Sequence, residues 1–322
     1  MSEQANVLPV PGNATGNPVD NFANNSVDNS TGHLAAVHWR DYLELTKPKV
    51  VAMMILTSVI GMLLAVSGLP SLQVMVFGNA GIALLAGAAA VINHVVDQKV
   101  DIVMARTHKR PVATGRISAA EGLLFAGVLA LSGMAILMLL VNSLTAWLTL
   151  ASLVGYAGVY TLFLKRATPQ NIVIGGLAGA MPPLLGWTAV TGQVDGHALL
   201  LVLIIFAWTP PHFWALAIHR KEEYAKARIP MLPVTHGNYY TELHILLYTL
   251  ILIAVSLLPF VTGMSGMIYL VGALVLGLRF LQYAIRLFRD DDRRVALDTF
   301  KYSITYLMAL FVVLLVDHYA FI

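Results

Sequence analysis

The chain has 322 residues, of which 58% are hydrophobic and only 11% charged, with formal net charge +3 and mean hydropathy +0.74. A soluble chain of this length carries far more charge, so composition excludes an ordinary globular enzyme and predicts a polytopic membrane protein. The absence of cysteine excludes a disulfide framework and any thiolate metal site, and basic residues confined to short loops between apolar runs set nucleic acid aside as a partner.

Residues 1–39 contain no Lys or Arg and are rich in Asn, Gly, Pro and Ser. By composition they form a disordered polar tail, without the basic start and apolar core of a signal peptide. Residues 40–322 are expected to form the membrane domain. His38 to Lys49 is an amphipathic lead-in, and Pro48 suits the first turn of a helix, where its missing N–H does no harm. A spanning helix needs about 20 largely apolar residues. Nine such runs follow, near 50–67, 73–95, 119–141, 144–163, 171–190, 198–218, 243–262, 266–285 and 302–320.

The loop charges set the orientation. With the N-terminus inside, the inner segments carry 19 of the 20 Lys and Arg residues, and the outer segments carry none. Arg279, the remaining one, is close enough to the inner end of helix eight to snorkel there. The expectation is an all-α bundle of nine helices, N-terminus in and C-terminus out. Small residues in the second and fifth runs, among them Gly81, Gly87, Gly175 and Gly176, permit close helix approach.

The second run ends in NHVVDQKVDIVMARTHKRPVATGR, residues 93–116. Asn93, Asp97 and Asp101 fall at i, i+4 and i+8, which stacks them on one helical face. Lys99, Arg106, Lys109, Arg110 and Arg116 follow closely. Juxtamembrane carboxylates often form plain ion pairs, here with Lys99 or Arg106. The functional alternative is that Asn93, Asp97 and Asp101 hold Mg²⁺, which keeps waters and accepts phosphate oxygens. Arg106, Lys109 and Arg110 would then bind a diphosphate. Lys47 and Lys49 either reach a phosphate or serve as positive-inside anchors.

The other long inner stretch is WTPPHFWALAIHRKEEYAKARIPMLPVTHG, residues 208–237. Pro210 and Pro211 are expected to interrupt helix six inside the membrane. His212 follows, flanked by Phe213 and Trp214. A lone His there is ordinarily a buried group with one hydrogen bond, although the aromatics suit a flat apolar ligand. Glu222, Glu223, Tyr224, Lys226 and Arg228 supply a second acidic and basic set, or simply a solvated helix with i,i+4 pairs such as Glu222 with Lys226. Asp290, Asp291 and Asp292 read as a solvated turn.

Two polar loops on one face of an apolar bundle suit an amphipathic substrate, its diphosphate at the surface and its hydrocarbon among the helices. The chemistry this supports is ionisation of an allylic diphosphate and capture of the cation by an electron-rich acceptor. Mg²⁺ would act as Lewis acid and the fixed cations would stabilise the leaving group.

The pattern Asn93-x3-Asp97-x3-Asp101, followed by Arg106-Thr107 and Arg110-Pro111, resembles the first aspartate motif of the UbiA-type intramembrane prenyltransferases. LTKPKV at 45–50, WTPPHFWALAI and EEYAKARIPMLPVTHG resemble the branch of that family that farnesylates heme. The resemblance runs from about Tyr42 to the C-terminus. It implies a nine-helix prenyltransferase of the bacterial cytoplasmic membrane with its active-site loops on the cytoplasmic side. It implies farnesyl diphosphate as donor, the vinyl group of protoheme IX as acceptor and heme O as product. The product would serve a terminal oxidase directly or through heme A synthase. Asn93, Asp97 and Asp101 would hold Mg²⁺–diphosphate, with Arg106, Lys109, Arg110 and Lys47 on the diphosphate. Glu223 and Tyr224 would stand in the second motif. His212 would contact heme through iron or a propionate. The same resemblance leads one to expect Asp-Tyr where this chain has Glu223-Tyr224, and Gly where it has Arg228. Two other readings compete: prenylation of an aromatic acid or quinone precursor, against which the PPHFW and IPMLPVTHG runs count, and ion-coupled transport, against which the grouping of the acids at one face counts.

Overall fold

The computed structural model describes residues 38–104, 107–290 and 292–320. The expected tail up to residue 37, Arg106 and Asp291 lie outside the described residues. A short helix α1 (Trp39–Leu45) turns at Lys47 into α2 (Pro48–Leu64), with Pro48 in the first turn as expected. Then follow α3 (Leu72–Asp101), α4 (Ala119–Leu140), α5 (Ser143–Leu164), α6 (Asn171–Thr191) and α7 (Gly196–His219). A short surface helix α8 (Lys221–Lys226) leads through one turn, Leu232–Thr235, to α9 (Gly237–Val261), α10 (Met267–Asp290) and α11 (Arg293–Ala320).

Among the described residues, eight helices are long and apolar enough to cross a membrane, and α1 with α2, bent by 52°, makes the ninth if taken as one span. The bundle is held by α3 on α4, α2 on the second half of α6, α9 on both α7 and α10, and α11 on α7 and α10. Leu124, Leu131 and Leu139 on α4 are exposed on the outside of the bundle. In water such a face would be a liability; against lipid it is the expected surface.

α3 has 30 residues and is therefore about 45 Å long at 1.5 Å per residue, against a hydrocarbon core of about 30 Å. The surplus lies at the end that carries Asn93, Asp97 and Asp101. The helix continues through them because they share one face with buried small residues above them, Ala89 and Ala90 among these. Its end is closed by Thr107, whose hydroxyl donates to the Asp101 carbonyl at 3.1 Å. Ser118 and Glu121 form a reciprocal cap that starts α4.

Close helix approach relies on the small residues. A Cβ on Gly61 would lie 2.1 Å from the Pro183 carbonyl oxygen, and one on Gly186 would lie 2.0 Å from that of Ser58, so α2 and α6 touch backbone to backbone. A Cβ on Gly175 would enter the Tyr160 ring, which lets α6 lie flat against α5.

One expectation is corrected. α7 runs unbroken through Pro210 and Pro211, although the carbonyls of Phe206 and Ala207 lose their helical donors. The turns flanking the proline pair are tied to α11 at one point: Trp208 Nε1 donates to the Ser303 carbonyl at 2.7 Å, and His212 Nδ1 meets the Ser303 hydroxyl at 2.7 Å. Those ties brace the stretch where the helix lacks its own bonds. The break falls instead in α6, at Met181, where Pro182 and Pro183 open the second half with no helical donor to lose. A second irregularity is in α5, which passes from α-helix to a wider π-helix over Val154–Leu164.

Candidate functional site

The inner end of α3 forms the floor of the site. Asn93, Asp97 and Asp101 are 4%, 1% and 4% exposed and lie on one face, as their spacing predicts. Each is paired with a cation from a different element. Lys47 sits in the bend between α1 and α2 with a left-handed backbone, φ 52°, uncommon for a residue with a Cβ. That backbone sends Lys47 Nζ to Asn93 Oδ1 at 2.5 Å. Asn93 Nδ2 donates to Asp97 Oδ2 at 2.8 Å and to the Thr161 hydroxyl at 3.4 Å. Lys165, at the end of α5, donates to the same Asp97 oxygen at 2.5 Å. Arg110, from the loop after α3, donates to both oxygens of Asp101 at 2.9 and 2.7 Å.

The loop is braced so that Arg110 can do this. Gln98 Nε2 donates to the Val112 carbonyl at 3.0 Å, and Arg116 bonds both the Lys109 carbonyl and the buried Asp41 of α1. Lys109 itself is exposed and points no recorded bond into the cluster. The ion pair expected with Lys99 does not account for the carboxylates, since Lys99 is exposed and Asp97 and Asp101 pair with Lys165 and Arg110; the expected pair with Arg106 lies outside the described residues. Helical neighbours lose to cations that other elements deliver.

Three cations surround two carboxylates, so the cluster carries a surplus positive charge in a poorly solvated place and attracts an anion. Its oxygen donors suit a hard cation such as Mg²⁺, and Asp97 Oδ1 is buried with no hydrogen-bond partner. Among the described residues no three His, Cys, Asp or Glu side chains gather as a ready cation cage. A metal held here by two carboxylates and an amide would take its remaining ligands from water or phosphate. The donor set fits that use.

The second polar loop reaches the first through packing. Met104 and Val100, on either side of Asp101, share an apolar cluster with Tyr224, Ile218, Ile229 and Met231. Tyr224 is buried in it. Glu223, its neighbour on α8, is half-buried, and its Oε2 has no hydrogen-bond partner. Glu222 points the other way. It is exposed and accepts from Arg293 at 2.7 Å, in place of the expected helical pair with Lys226. That hydrogen bond holds the Glu222 carboxyl below the usual carboxylate range.

His212 lies apart from these groups in its recorded contacts. Its ring is stacked between Trp208, with centroids 4.1 Å apart, and Phe300, at 4.6 Å. The Ser303 hydroxyl has one proton and donates it to the Phe300 carbonyl at 2.6 Å. It therefore accepts from His212 Nδ1–H, which leaves the lone pair on Nε2. A neutral His212 of this tautomer is a ligand for a metal or an acceptor of a proton, and is not a donor to a carboxylate.

Lys165 is the member of the candidate cluster that sequence reasoning missed. A single cation at the inner end of an apolar run looks like any other positive-inside anchor. Only the fold shows that it ends on Asp97.

The comparisons with known proteins agree with this architecture. The UbiA prenyltransferase family matches residues 54–314. The chain is 83% identical over 290 residues to the protoheme IX farnesyltransferase of Marinobacter nauticus, covering 90% of this chain and 96% of that one. It is 69% identical over 281 residues to the protein of the same name from Saccharophagus degradans, covering 87% and 93%. Among solved structures, a digeranylgeranylglyceryl phosphate synthase superposes with TM-score 0.75 at 17% identity, over 87% of this chain and 98% of that one. A UbiA homolog from Archaeoglobus fulgidus, bound to GPP and Mg²⁺, superposes with TM-score 0.60 at 18% identity, over 85% and 99%. At such identities the two structures speak for the fold alone.

Proposed function

The chain belongs to the UbiA prenyltransferase family, and from that premise we propose that it transfers a farnesyl group from farnesyl diphosphate to a vinyl group of protoheme IX. The products are heme O and diphosphate. The carbon–oxygen bond of the donor breaks toward diphosphate, the vinyl carbon bonds to the farnesyl carbon, and water adds to the cation left on the porphyrin side chain. The protein is a multi-pass membrane enzyme. The observation that carries the reading of its site is the pairing of Asn93, Asp97 and Asp101 with three cations from three separate elements.

Asn93, Asp97 and Asp101 are the residues that would hold Mg²⁺. Bound there, the ion supplies Lewis-acid stabilisation of the leaving diphosphate. The Archaeoglobus fulgidus homolog of the same fold is bound to GPP and Mg²⁺. Lys47, Lys165 and Arg110 now neutralise the carboxylates and the amide. With a metal on those oxygens, the same cations would be free to pair with the diphosphate. Charge that grows on the leaving group is thus met by ammonium and guanidinium groups that need little movement. Arg106 and Lys109, from the sequence that follows α3, are proposed to contact the diphosphate, and Glu223 and Tyr224 to close the site from α8. The apolar bundle excludes water from the allylic cation. His212 is proposed to meet the porphyrin through Nε2, as an iron ligand rather than a propionate donor, because Ser303 fixes its tautomer. The loops face the cytoplasm of a bacterial cell on the charge argument above, and the product passes to a terminal oxidase directly or through heme A synthase.

The test uses purified protein in detergent with heme b, farnesyl diphosphate and Mg²⁺, read by the mass of the extracted heme. A heme heavier by a farnesyl group plus water, absent with EDTA and in Asp101→Asn, is the expected result. Unchanged heme from folded protein overturns the reading.

A further inference from the structure

Beside the cluster just described lies a second polar surface, of which the reaction above uses only Lys47 and Arg110. A groove of about 530 Å³ runs between α1, the start of α2 and α3. Arg40, Lys47, Lys49 and Arg110 line it, against one carboxylate, Glu44. Lys47 and Arg110 already have partners, Asn93 and Asp101. Among the described residues Arg40 and Lys49 have no acidic partner, and the Arg40 guanidinium lies over the Trp39 ring at 5.7 Å. His94 also lines the groove. It is 2% exposed, and neither ring nitrogen has a hydrogen-bond partner.

A buried imidazole with both nitrogens unpaired is costly, since each lost hydrogen bond carries a desolvation penalty of about 1–3 kcal/mol. Ordinary packing gives no return for it. A ligand that brings an oxygen atom into the groove does. The excess of cations over carboxylates says that the oxygen belongs to an anion, and the apolar walls from Trp39 and Leu43 say that the anion is attached to something apolar. Lys47 and Arg110 are turned to Asn93 and Asp101 of the diphosphate cluster, which leaves Arg40 and Lys49 for a second anion.

We propose that this groove is a carboxylate subsite, with His94 in its wall and Arg40 and Lys49 at its rim, and that it holds a propionate of the acceptor porphyrin. The inference rests on the heme reading given above. It separates the two anionic substrates: diphosphate on the α3 carboxylate cluster, propionate in the α1–α2 groove, with Lys47 and Arg110 between them. A porphyrin gripped by its propionate edge at the membrane surface turns its vinyl edge down into the apolar bundle. Lys47 and Arg110, shared between the two sites, also damp the repulsion between the two anions.

The test compares protoheme IX with its dimethyl ester, in detergent and at saturating farnesyl diphosphate. Wild-type protein should show a KM about tenfold lower for the free acid, which is the discrimination that about 1.4 kcal/mol of charge-assisted hydrogen bonding supplies. In Arg40→Gln/Lys49→Gln the preference should vanish, the KM for protoheme should rise about tenfold, and kcat and the KM for farnesyl diphosphate should stay within twofold. Both side chains are at the surface, so the variant has no reason to misfold. His94→Phe should lose part of the same discrimination. If the double variant keeps the wild-type preference for the free acid, the subsite is wrong while the heme reading stands. If wild-type protein farnesylates neither porphyrin, the heme reading itself has failed. Repeating the assay in phosphatidylcholine vesicles with and without phosphatidylglycerol separates the remaining source of anions. A defect that appears only with phosphatidylglycerol would make the groove a lipid headgroup site and overturn the proposal.

Discussion

The two polar loops of this protein look alike in sequence and differ sharply in the fold. Each places carboxylates and cations within a few residues of one another on the same side of the bundle. In the first, the Asp97 side chain is 2% exposed and its partner Lys165 comes from another helix, 68 residues away in the chain. In the second, Glu222 is 70% exposed and pairs with Arg293 at the surface. A surface pair contributes little, because water already solvates both ends. A buried pair is costly to desolvate and is retained only where something compensates. Burial, and the distance in sequence from which the partner is brought, set the first loop apart from the second, and they are the grounds on which the proposed chemistry is placed there.

The largest effect is expected where a buried pair is cut. Asp97→Asn should reduce turnover by at least about a thousandfold, as loss of a main electrostatic group at a leaving diphosphate does. It should also lower stability by about 3 kcal/mol, because Lys165 is left buried without its counter-charge. The double variant Asp97→Asn/Lys165→Met removes both charges. Its melting temperature in detergent should return toward that of the wild type while turnover stays lost. If stability and turnover recover together, the pair is structural and the comparison between the loops collapses.

Much of this was legible before the fold was known. The i, i+4, i+8 spacing of Asn93, Asp97 and Asp101 survives intact because a helix that starts in an apolar run does not stop at the first polar residue. For the same reason α11 begins at Arg293, well before the apolar run at 302. Lys165 was not legible, since its partner lies on another helix and no local pattern links them. The course of α7 was not legible either. Two adjacent prolines read as a break, and the tie that prevents it, Ser303, is 95 residues from Trp208. Local signals report what one segment prefers, whereas bonds between helices decide where a preference is overruled.

Within the second loop the comparison sharpens to a single residue. Glu223 has a buried oxygen without a hydrogen-bond partner and shares its helix with Tyr224, which packs against Met104 beside the site. Glu223→Gln should reduce turnover about tenfold at unchanged stability, the effect of losing one charge that acts at a distance or through water. Glu223→Asp keeps the charge and should retain most activity. Equal loss in both variants would mean that side-chain length, and not charge, matters there.

A smaller effect is expected at Arg228, and it falls on stability. Arg228 has φ 52° and follows the cap of α8. Its N–H reaches the Ala225 carbonyl at 3.1 Å, and the Ile229 N–H reaches that of Tyr224 at 3.0 Å, the pair of bonds that closes a helix through a left-handed residue. Glycine is the usual occupant, and a residue with a Cβ costs about 1 kcal/mol there. Arg228→Gly should therefore stabilise the protein by up to about 1 kcal/mol, less the entropy that glycine loses on folding. Arg228→Ala keeps the strain and should not. If both variants behave alike, the effect belongs to the lost guanidinium.

The smallest effect belongs to the neighbour of Glu223. Glu222 is exposed, and among the described residues its hydrogen-bond partner is the surface Arg293, which holds the carboxyl below its ordinary value of 4.5. A carboxyl depressed in the folded state adds stability at neutral pH and loses that contribution as the pH falls through the acid range. The contribution is small here, because solvent screens the pair and salt screens it further. Glu222→Gln should leave turnover within twofold, and any change in melting temperature should shrink as the pH is lowered or salt is added. One residue further along, Glu223→Gln is expected to cost a tenfold loss of turnover that salt does not abolish. If the two variants lose turnover equally, α8 acts through its overall charge, and burial does not distinguish its carboxylates. If only Glu223→Gln does, the rule that separates the two loops also separates adjacent residues on one short helix.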